Sequence, residues 1–445
     1  MRSAVQAPVG LRTGLAAIVA LYLLLATLYA WFTPAWQNPD EPAHYNYIRQ
    51  LAENGSLPVL QAGDYDQQYL ADIVARRFPP QLSIAALRYE GHQPPLYYLL
   101  LAPVYRASNG SLLALRLASA LLGALLVVCA GLAAWEYFQP QLPLALAAAA
   151  FVAFIPQHVA MLASVNNDAL AELWMMLGLW LLLRGSAARH TRHYWLASLV
   201  LGLCFITKAT VYILLLPMLL ALWLDWRAGR STRGAGIAQL LPALLLGGLW
   251  WARNAAVYGW PDVLGLQRHA AVVAGQPRTA DWLAQFGAAQ LLRRMLATTF
   301  NSFWGQFGWM SAPMSGRIYA LLWLLCAAIV AGLWLGRAAP TSADTTAVRR
   351  RQHLLLLAAA GGTLLAFLYY NFSFVQHQGR YLFPALLPLA IAATRGLSVW
   401  AQRCAARWPA ASRAAAWLPL SVALLLAALC VWVLPLIAGS AGAAL

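Results

Sequence analysis

The sequence predicts an all-α polytopic membrane protein, on three observations. Hydrophobic residues make up 62% of the 445 positions and charged residues only 10%. Mean hydropathy is +0.62, and a chain this apolar would not stay in water. Apolar runs of about twenty residues, the length that crosses a bilayer, follow one another from end to end. The basic residues between them fall in short clusters, Arg184 to Arg192, Arg227 to Arg233, Arg337 to Arg351 and Arg403 to Arg413. Cytoplasmic loops carry such excess positive charge. The net charge of +16 is therefore a topology signal, and no nucleic-acid partner is expected. Five cysteines without metal spacing, mostly within or beside apolar runs, read as small core residues.

Arg2 and Arg12 precede the first apolar run, about 15–32, and no small-residue cleavage pattern follows it. It reads as a first span with a cytoplasmic N-terminus. The polar stretch 33–111 is then the first outer loop. It opens with NPDEPAHYNYIRQLAENGSLPVL, Asn38 to Leu60, where Asp40 and Glu41 stand between two prolines at a predicted helix start. Proline is tolerated in a first turn, and carboxylates there meet the positive end of the helix dipole. His44, Tyr47, Ile48 and Leu51 continue one face, and Asn54-Gly55 with Pro58 supplies the stop. With only 14 acidic residues in the chain, two adjacent carboxylates at the mouth of a span need a reason. YEGHQPPLYYLLLAPVY, from Tyr89, predicts a second interfacial helix opened by Pro94-Pro95.

Fitting the remaining spans between the arginine clusters gives about 112–135, 142–161, 167–184, 194–207, 209–225, 235–255, 317–337, 353–371, 381–399 and 415–436. With the first this makes about eleven, and a C-terminus on the outer side. Chain 1–445 reads as one transmembrane domain, with a second large outer loop at 253–316 and no soluble C-terminal domain. The scheme places Asn166-Asn167-Asp168, Arg253-Asn254 and Gln378-Gly379-Arg380 on the same side as Asp40 and Glu41. No sustained internal repeat is visible.

Asp168 is open to two readings, a helix cap or a working carboxylate, since a carboxylate at that depth is costly unless capped, paired or used. Lys208, the only lysine, interrupts CFITKATVYILLL. It either snorkels to the outer interface or joins Arg253 and Arg380 in neutralising a phosphate there. The aromatics of FNSFWGQFGWM suit an interfacial belt, a sugar site or a prenyl groove. His44, His92 and His377 form no HExxH or His-x-x-x-His pattern and read as hydrogen-bond partners.

The sequence resembles the membrane glycosyltransferases of the GT-C fold, in the style of bacterial relatives of the protein O-mannosyltransferases and of the lipid A aminoarabinose transferases. The resemblance rests on PDEPAHYNYIRQLAENGSLPV, HQPPLYYLLLAPVY, NNDAL, TKAT, WWARNAAVYG and QGRYLFPALLPLA, which occur in the family's order. It implies a GT-C-like fold with about eleven transmembrane helices and amphipathic interfacial helices in the first outer loop. It also implies a catalytic carboxylate at Asp40, with Glu41 as neighbour, and a second acidic residue at Asp168. The implied donor is a hexose or pentose on a polyprenyl phosphate, and the acceptor a glycan, lipid or protein. His44, His92, Lys208, Arg253, Arg380 and Tyr381 are the expected substrate-binding residues. Some relatives recruit a divalent cation, and Asp40 and Asp168 could hold magnesium or manganese. The expected location is a bacterial-type cytoplasmic membrane, with the active site on the outer, periplasmic or extracellular, face. The rival readings are a transporter or flippase of lipid-linked sugars and an O-antigen ligase or polymerase.

Overall fold

The computed structural model describes residues 8–188, 191–336 and 343–441. Arg2, Arg189 and Arg337, from segments read as cytoplasmic, lie outside them. Helix α1 (Val9–Phe32) is the first span. The polar stretch 33–111, expected to be the first outer loop, folds into α2 (Glu41–Asn54), α3 (Gln67–Ala75) and α4 (Leu96–Ala107). Helix α2 ends where expected, at Gly55, whose φ of +65° an L side chain would resist. With 14 and 12 residues, α2 and α4 are too short to cross a bilayer. They pack on each other instead, and the rings of Tyr47 and Tyr98 stack 3.6 Å apart.

The centre of the core is α5 (Leu112–Phe138), α6 (Leu142–Phe154), α7 (Pro156–Leu162) and α8 (Asp168–Ala188), with α1 against α5 and α6. Helices α6 and α7 are one stretch bent by 64°. The cause is local. Pro156 has no N–H to give the carbonyl of Val152, one turn earlier. His158 satisfies it instead, its Nδ1 lying 2.7 Å from the Val152 oxygen while its Nε2 meets Glu172 of α8 at 2.8 Å. The chain continues through α9 (Arg192–Phe205), a 3-10 turn at Ala209–Leu214, α10 (Leu215–Arg227), α11 (Arg233–Ala238) and α12 (Leu241–Tyr258). The second outer loop holds α13 (Leu266–Val272), then α14 (Thr279–Trp304), broken at Gly287, and a hairpin of β1 (Gln306–Phe307) and β2 (Ala312–Pro313). Last come α15 (Gly316–Leu335), α16 (Ala343–Ser373), a 3-10 turn at Gly379–Ala385, α17 (Leu386–Arg407), α18 (Ser412–Ala415), α19 (Leu418–Trp432) and α20 (Leu434–Ala438).

Among the described residues eight helical stretches are long and apolar enough to span a membrane, or nine with the bent pair. The expected count of about eleven also included α9 and α12. Helix α9 has only 14 residues, and α12 ends in the polar Arg253 and Asn254, so neither qualifies by itself.

A deeply buried ion pair joins the first loop to this core. Arg116 of α5 meets both oxygens of Glu41, at 2.8 and 2.6 Å, with both side chains almost wholly inaccessible. Arg116 also donates to the carbonyls of Ala30, Thr33 and Pro34 where α1 ends, and Glu41 accepts the Val165 N–H just before α8. Removing one partner of such a pair strands a buried charge and costs about 3–5 kcal/mol. Arg116→Met should therefore lower the thermal unfolding midpoint in detergent far more than Arg76→Met, whose exposed pair with Asp72 contributes at most about 1 kcal/mol. Equal midpoints for the two variants would show that the buried pair does not hold the loop.

Candidate active site

Asp40 sits at the position before α2 with φ +66°, a left-handed conformation in which its side chain makes no capping hydrogen bond. The two adjacent carboxylates therefore diverge. Glu41 is consumed by Arg116, and Asp40 faces a cavity of about 320 Å3. Its Oδ2 accepts from Arg380 at 2.5 Å and its Oδ1 from the Tyr89 hydroxyl at 3.0 Å. Burial pushes the Asp40 carboxyl up, but the Arg380 guanidinium beside it, with His44, outweighs this and holds it below the usual range. Arg380 reaches this place because Gly379 lies against the backbone of α14. A Cβ there would come 2.3 Å from the Phe303 nitrogen and 2.4 Å from the Thr299 oxygen.

A second pair lies at the start of α8. Asp168 Oδ1 is 2.6 Å from Lys208 Nζ, and the Asp168 N–H is capped by Asn166. The capping role falls to Asn166 and not to Asp168, whose side chain pairs with Lys208. Lys208 and Arg380 each stand at the head of a 3-10 turn that leads into a long helix. Lys208, Arg380, His44, His92 and Tyr381 all line the cavity with Asp40. His44 Nδ1 bonds the Tyr98 hydroxyl at 2.8 Å; burial, then Lys208, drives its imidazole down to about 3, so it is neutral. His92 lies with its ring 4.4 Å from that of His269, and burial keeps both neutral, His269 falling to about 4.

Three expected residues are placed differently. Glu41 is buried away from the cavity. Arg253 does not line it either, because its guanidinium lies over Trp250 and donates to the carbonyl of Pro58 at 2.7 Å, bracing the first loop against α12. Asp168 touches the site through Lys208. The aromatics of FNSFWGQFGWM are packing: Phe300 stacks on Trp323, Phe303 meets Phe383 edge-on, and Trp309 donates to the carbonyl of Trp36. Among the described residues no three His, Cys, Asp or Glu side chains converge on a metal position. Asp40 and Asp168, the expected ligands, each hold a cationic side chain, a donor set that suits an anion better than a dication.

One residue was missed. Glu90, between Tyr89 and His92, lines the cavity, and its Oε2 has no hydrogen-bond partner among the described residues; nor has Arg380 Nε. Its rarity was the available signal, one of 14 acidic residues beside a proline-rich motif. The apolar wall comes from Trp250, Tyr212, Phe367 and Tyr370, and beside it α12 and α16 expose Leu249, Tyr369 and Phe372.

A family model described as dolichyl-phosphate-mannose-protein mannosyltransferase matches residues 92–251, a stretch that includes Asp168 and Lys208 but neither Asp40 nor Arg380. ArnT from Cupriavidus metallidurans bound to undecaprenyl phosphate is similar over 96% of this chain and 74% of its own (TM-score 0.54, 18% identity). The Archaeoglobus fulgidus oligosaccharyltransferase in complex with Zn and sulfate is similar over 96% of this chain and 53% of its own (TM-score 0.54, 16% identity). This chain thus spans about half that enzyme's length. The same archaeal enzyme, AglB, in complex with an inhibitory peptide and a dolichol-phosphate, matches with a TM-score of 0.52 and 14% identity, over 96% of this chain and 56% of its own. A search of the curated proteins finds no significant sequence match. At these identities the likeness establishes the fold. The chain has the GT-C architecture of membrane glycosyltransferases, as its motifs led one to expect.

Burial, and after it the Asp40 charge, raises Glu90 to about 7 from its ordinary 4.5. Between those values the native protein keeps a proton that the unfolded chain has released, so stability falls as pH rises through the window. The buried neutral histidines His44, His92 and His269 act in the opposite sense, so the comparison is between proteins: relative to Glu90→Gln, the wild type should lose unfolding midpoint between about pH 5 and 8. Parallel pH curves for the two proteins would place Glu90 in an ordinary, solvated environment.

Proposed function

We propose that the protein transfers a sugar from a polyprenyl-phosphate donor to an acceptor hydroxyl at the outer face of the membrane, with inversion. The observation that carries this is the pairing of two cations with two carboxylates around one cavity, Arg380 with Asp40 and Lys208 with Asp168. The relatives in complex with undecaprenyl phosphate and with a dolichol-phosphate support a lipid-phosphate ligand. The exposed apolar faces of α12 and α16 beside the cavity offer its tail a place in the bilayer. All these charges lie at one end of the helices, which favours a transferase over a transporter with polar sites at matched mid-bilayer positions.

Asp40, ion-paired to Arg380, is a weak base. A donor phosphate that engages Arg380 and Lys208 competes with both carboxylates for their cations. As Arg380 turns to the phosphate, Asp40 loses the charge that held its proton affinity down, and its basicity rises as the donor arrives. The acceptor oxygen then attacks the anomeric carbon while Asp40 takes its proton. The carbon–oxygen bond to phosphate breaks, and the bonding pair leaves with polyprenyl phosphate, stabilised by the two cations in a site drier than bulk water. One displacement inverts the anomeric centre. No step requires a metal.

Carboxylate and cation variants should fail differently in reconstituted protein, with donor binding and turnover followed separately. Asp40→Asn removes the base and frees Arg380. Turnover should fall by about 100- to 10,000-fold while donor binding is kept or tightened. Arg380→Met and Lys208→Met should weaken donor binding as well as turnover, because the phosphate is charged in the ground state. Near-normal turnover by Asp40→Asn would sink the general-base role, and unchanged donor affinity in both cation variants would sink the phosphate clamp.

A further inference from the structure

At the opposite end of the helices a cluster of positive side chains gathers with no carboxylate paired to it among the described residues. Arg349 and His353 lie one turn apart near the start of α16, Tyr137 at the end of α5, and Arg395 midway along α17. Arg395 Nη1 donates to His353 Nε2 at 2.7 Å and to the Tyr137 hydroxyl at 3.1 Å. Tyr137 is also hydrogen-bonded to His353, and the Arg349 guanidinium lies 4.5 Å over its ring. Because His353 Nε2 accepts from Arg395, the ring is neutral there. Two guanidinium groups are therefore drawn onto one neutral tyrosine–histidine couple.

Among the described residues, the nearby Glu136 and Arg351 are engaged elsewhere. Glu136, next to Tyr137, is paired with Arg184 at 2.8 Å. Arg351, two residues from Arg349, turns the other way and is satisfied by Asp225, the Tyr194 hydroxyl, Ser186 and the carbonyl of Ala221. Arg349 and Arg395 have no ion pair among the described residues. Arginines that served topology alone would spread into water, so their convergence calls for an anion. Immediately below His353 on α16, Leu357 is 67% exposed, and Trp334 of α15, nearby along the same boundary, is 66% exposed. An apolar, lipid-facing surface thus adjoins the cations.

The geometry points to a binding site for the phosphodiester headgroup of an anionic phospholipid, in the leaflet opposite the catalytic cavity, bridged by Arg349 and Arg395. Guanidinium groups match phosphate oxygens with paired N–H donors, and basic pockets between helices at this depth suit such headgroups. The bound lipid would tie α5, α16 and α17 together across the boundary. This assignment is independent of the proposed transfer reaction.

The test compares delipidated protein in detergent, by native mass spectrometry, titrated with phosphatidylglycerol, with phosphatidylcholine and with inorganic phosphate. Three proteins are used: wild type, Arg349→Gln/Arg395→Gln, and Arg403→Gln/Arg407→Gln as a control that removes as much charge from the same end. The catalytic cavity is unaltered in all three, so differences between them report on the cluster. The wild type should bind phosphatidylglycerol at least about tenfold more tightly than phosphatidylcholine. Each arginine beside an anionic headgroup contributes a factor of about five, so the first variant should lose roughly 25-fold in affinity and the control little. Equal losses in the two variants, or equal binding of the two lipids, would overturn the site. Inorganic phosphate displacing the lipid at comparable concentration would show that it serves a soluble anion instead. Should the double variant fail to fold, Arg395→Gln alone gives the same comparison with about a fivefold loss.

Discussion

The arrangement of the site depends on a single buried contact, the pairing of Glu41 with Arg116. Arg116 gathers three carbonyls at the end of α1 as well as the Glu41 carboxylate, and Glu41 takes the N–H of Val165 at the entrance to α8. One ion pair thereby joins α1, α2, α5 and α8 at their common end. A charge pair this dry is stable only if its remaining hydrogen-bonding capacity is met, and here it is. Since Glu41 is anchored inward, the residue before it must turn outward. Asp40 does so through a left-handed backbone step, which aspartate tolerates better than most residues.

What Asp40 meets is assembled from far along the chain. Arg380 lies 340 positions away and arrives because Gly379 lets the 3-10 turn before α17 press against α14. Lys208 reaches Asp168 through an equivalent turn before α10. The common pattern is a cation paired with a carboxylate at the head of a span. The loops are braced by cations of another kind. Arg253 and Arg268 are committed to the carbonyls of Pro58 and Leu60, fixing the first outer loop against the second.

The positive charges thus divide by environment. Arg351 and Arg116 are buried and neutralised, Arg253 is tied to backbone, and Arg380 and Lys208 are paired with carboxylates at the cavity. Arg349 and Arg395, at the far boundary, are gathered with no acid paired to them among the described residues. The triplet Arg349, Arg350 and Arg351 shows how little sequence position says about these roles, because a helix points successive residues about 100° apart.

Much of the architecture was written in the sequence. Apolar length and arginine placement determine which segments cross the membrane, because the bilayer penalises charge whatever the packing. Helix α2 begins and ends at residues named by local rules, Pro42 in its first turn and Gly55 at its stop. The motif of Asp40 is likewise legible, since rare acidic residues stand out in an apolar chain. The tertiary structure alone decided which neighbour faces the cavity: Asp40 and Glu41 have the same local signal, and only Arg116 assigns one to the core. It also decided that Arg253 braces a loop, that the Phe300–Trp309 aromatics pack, and that Glu90 lines the cavity. Partition into a membrane is a property of composition, summed residue by residue. A pairing between groups hundreds of positions apart depends on three-dimensional proximity, which only the packed helices create.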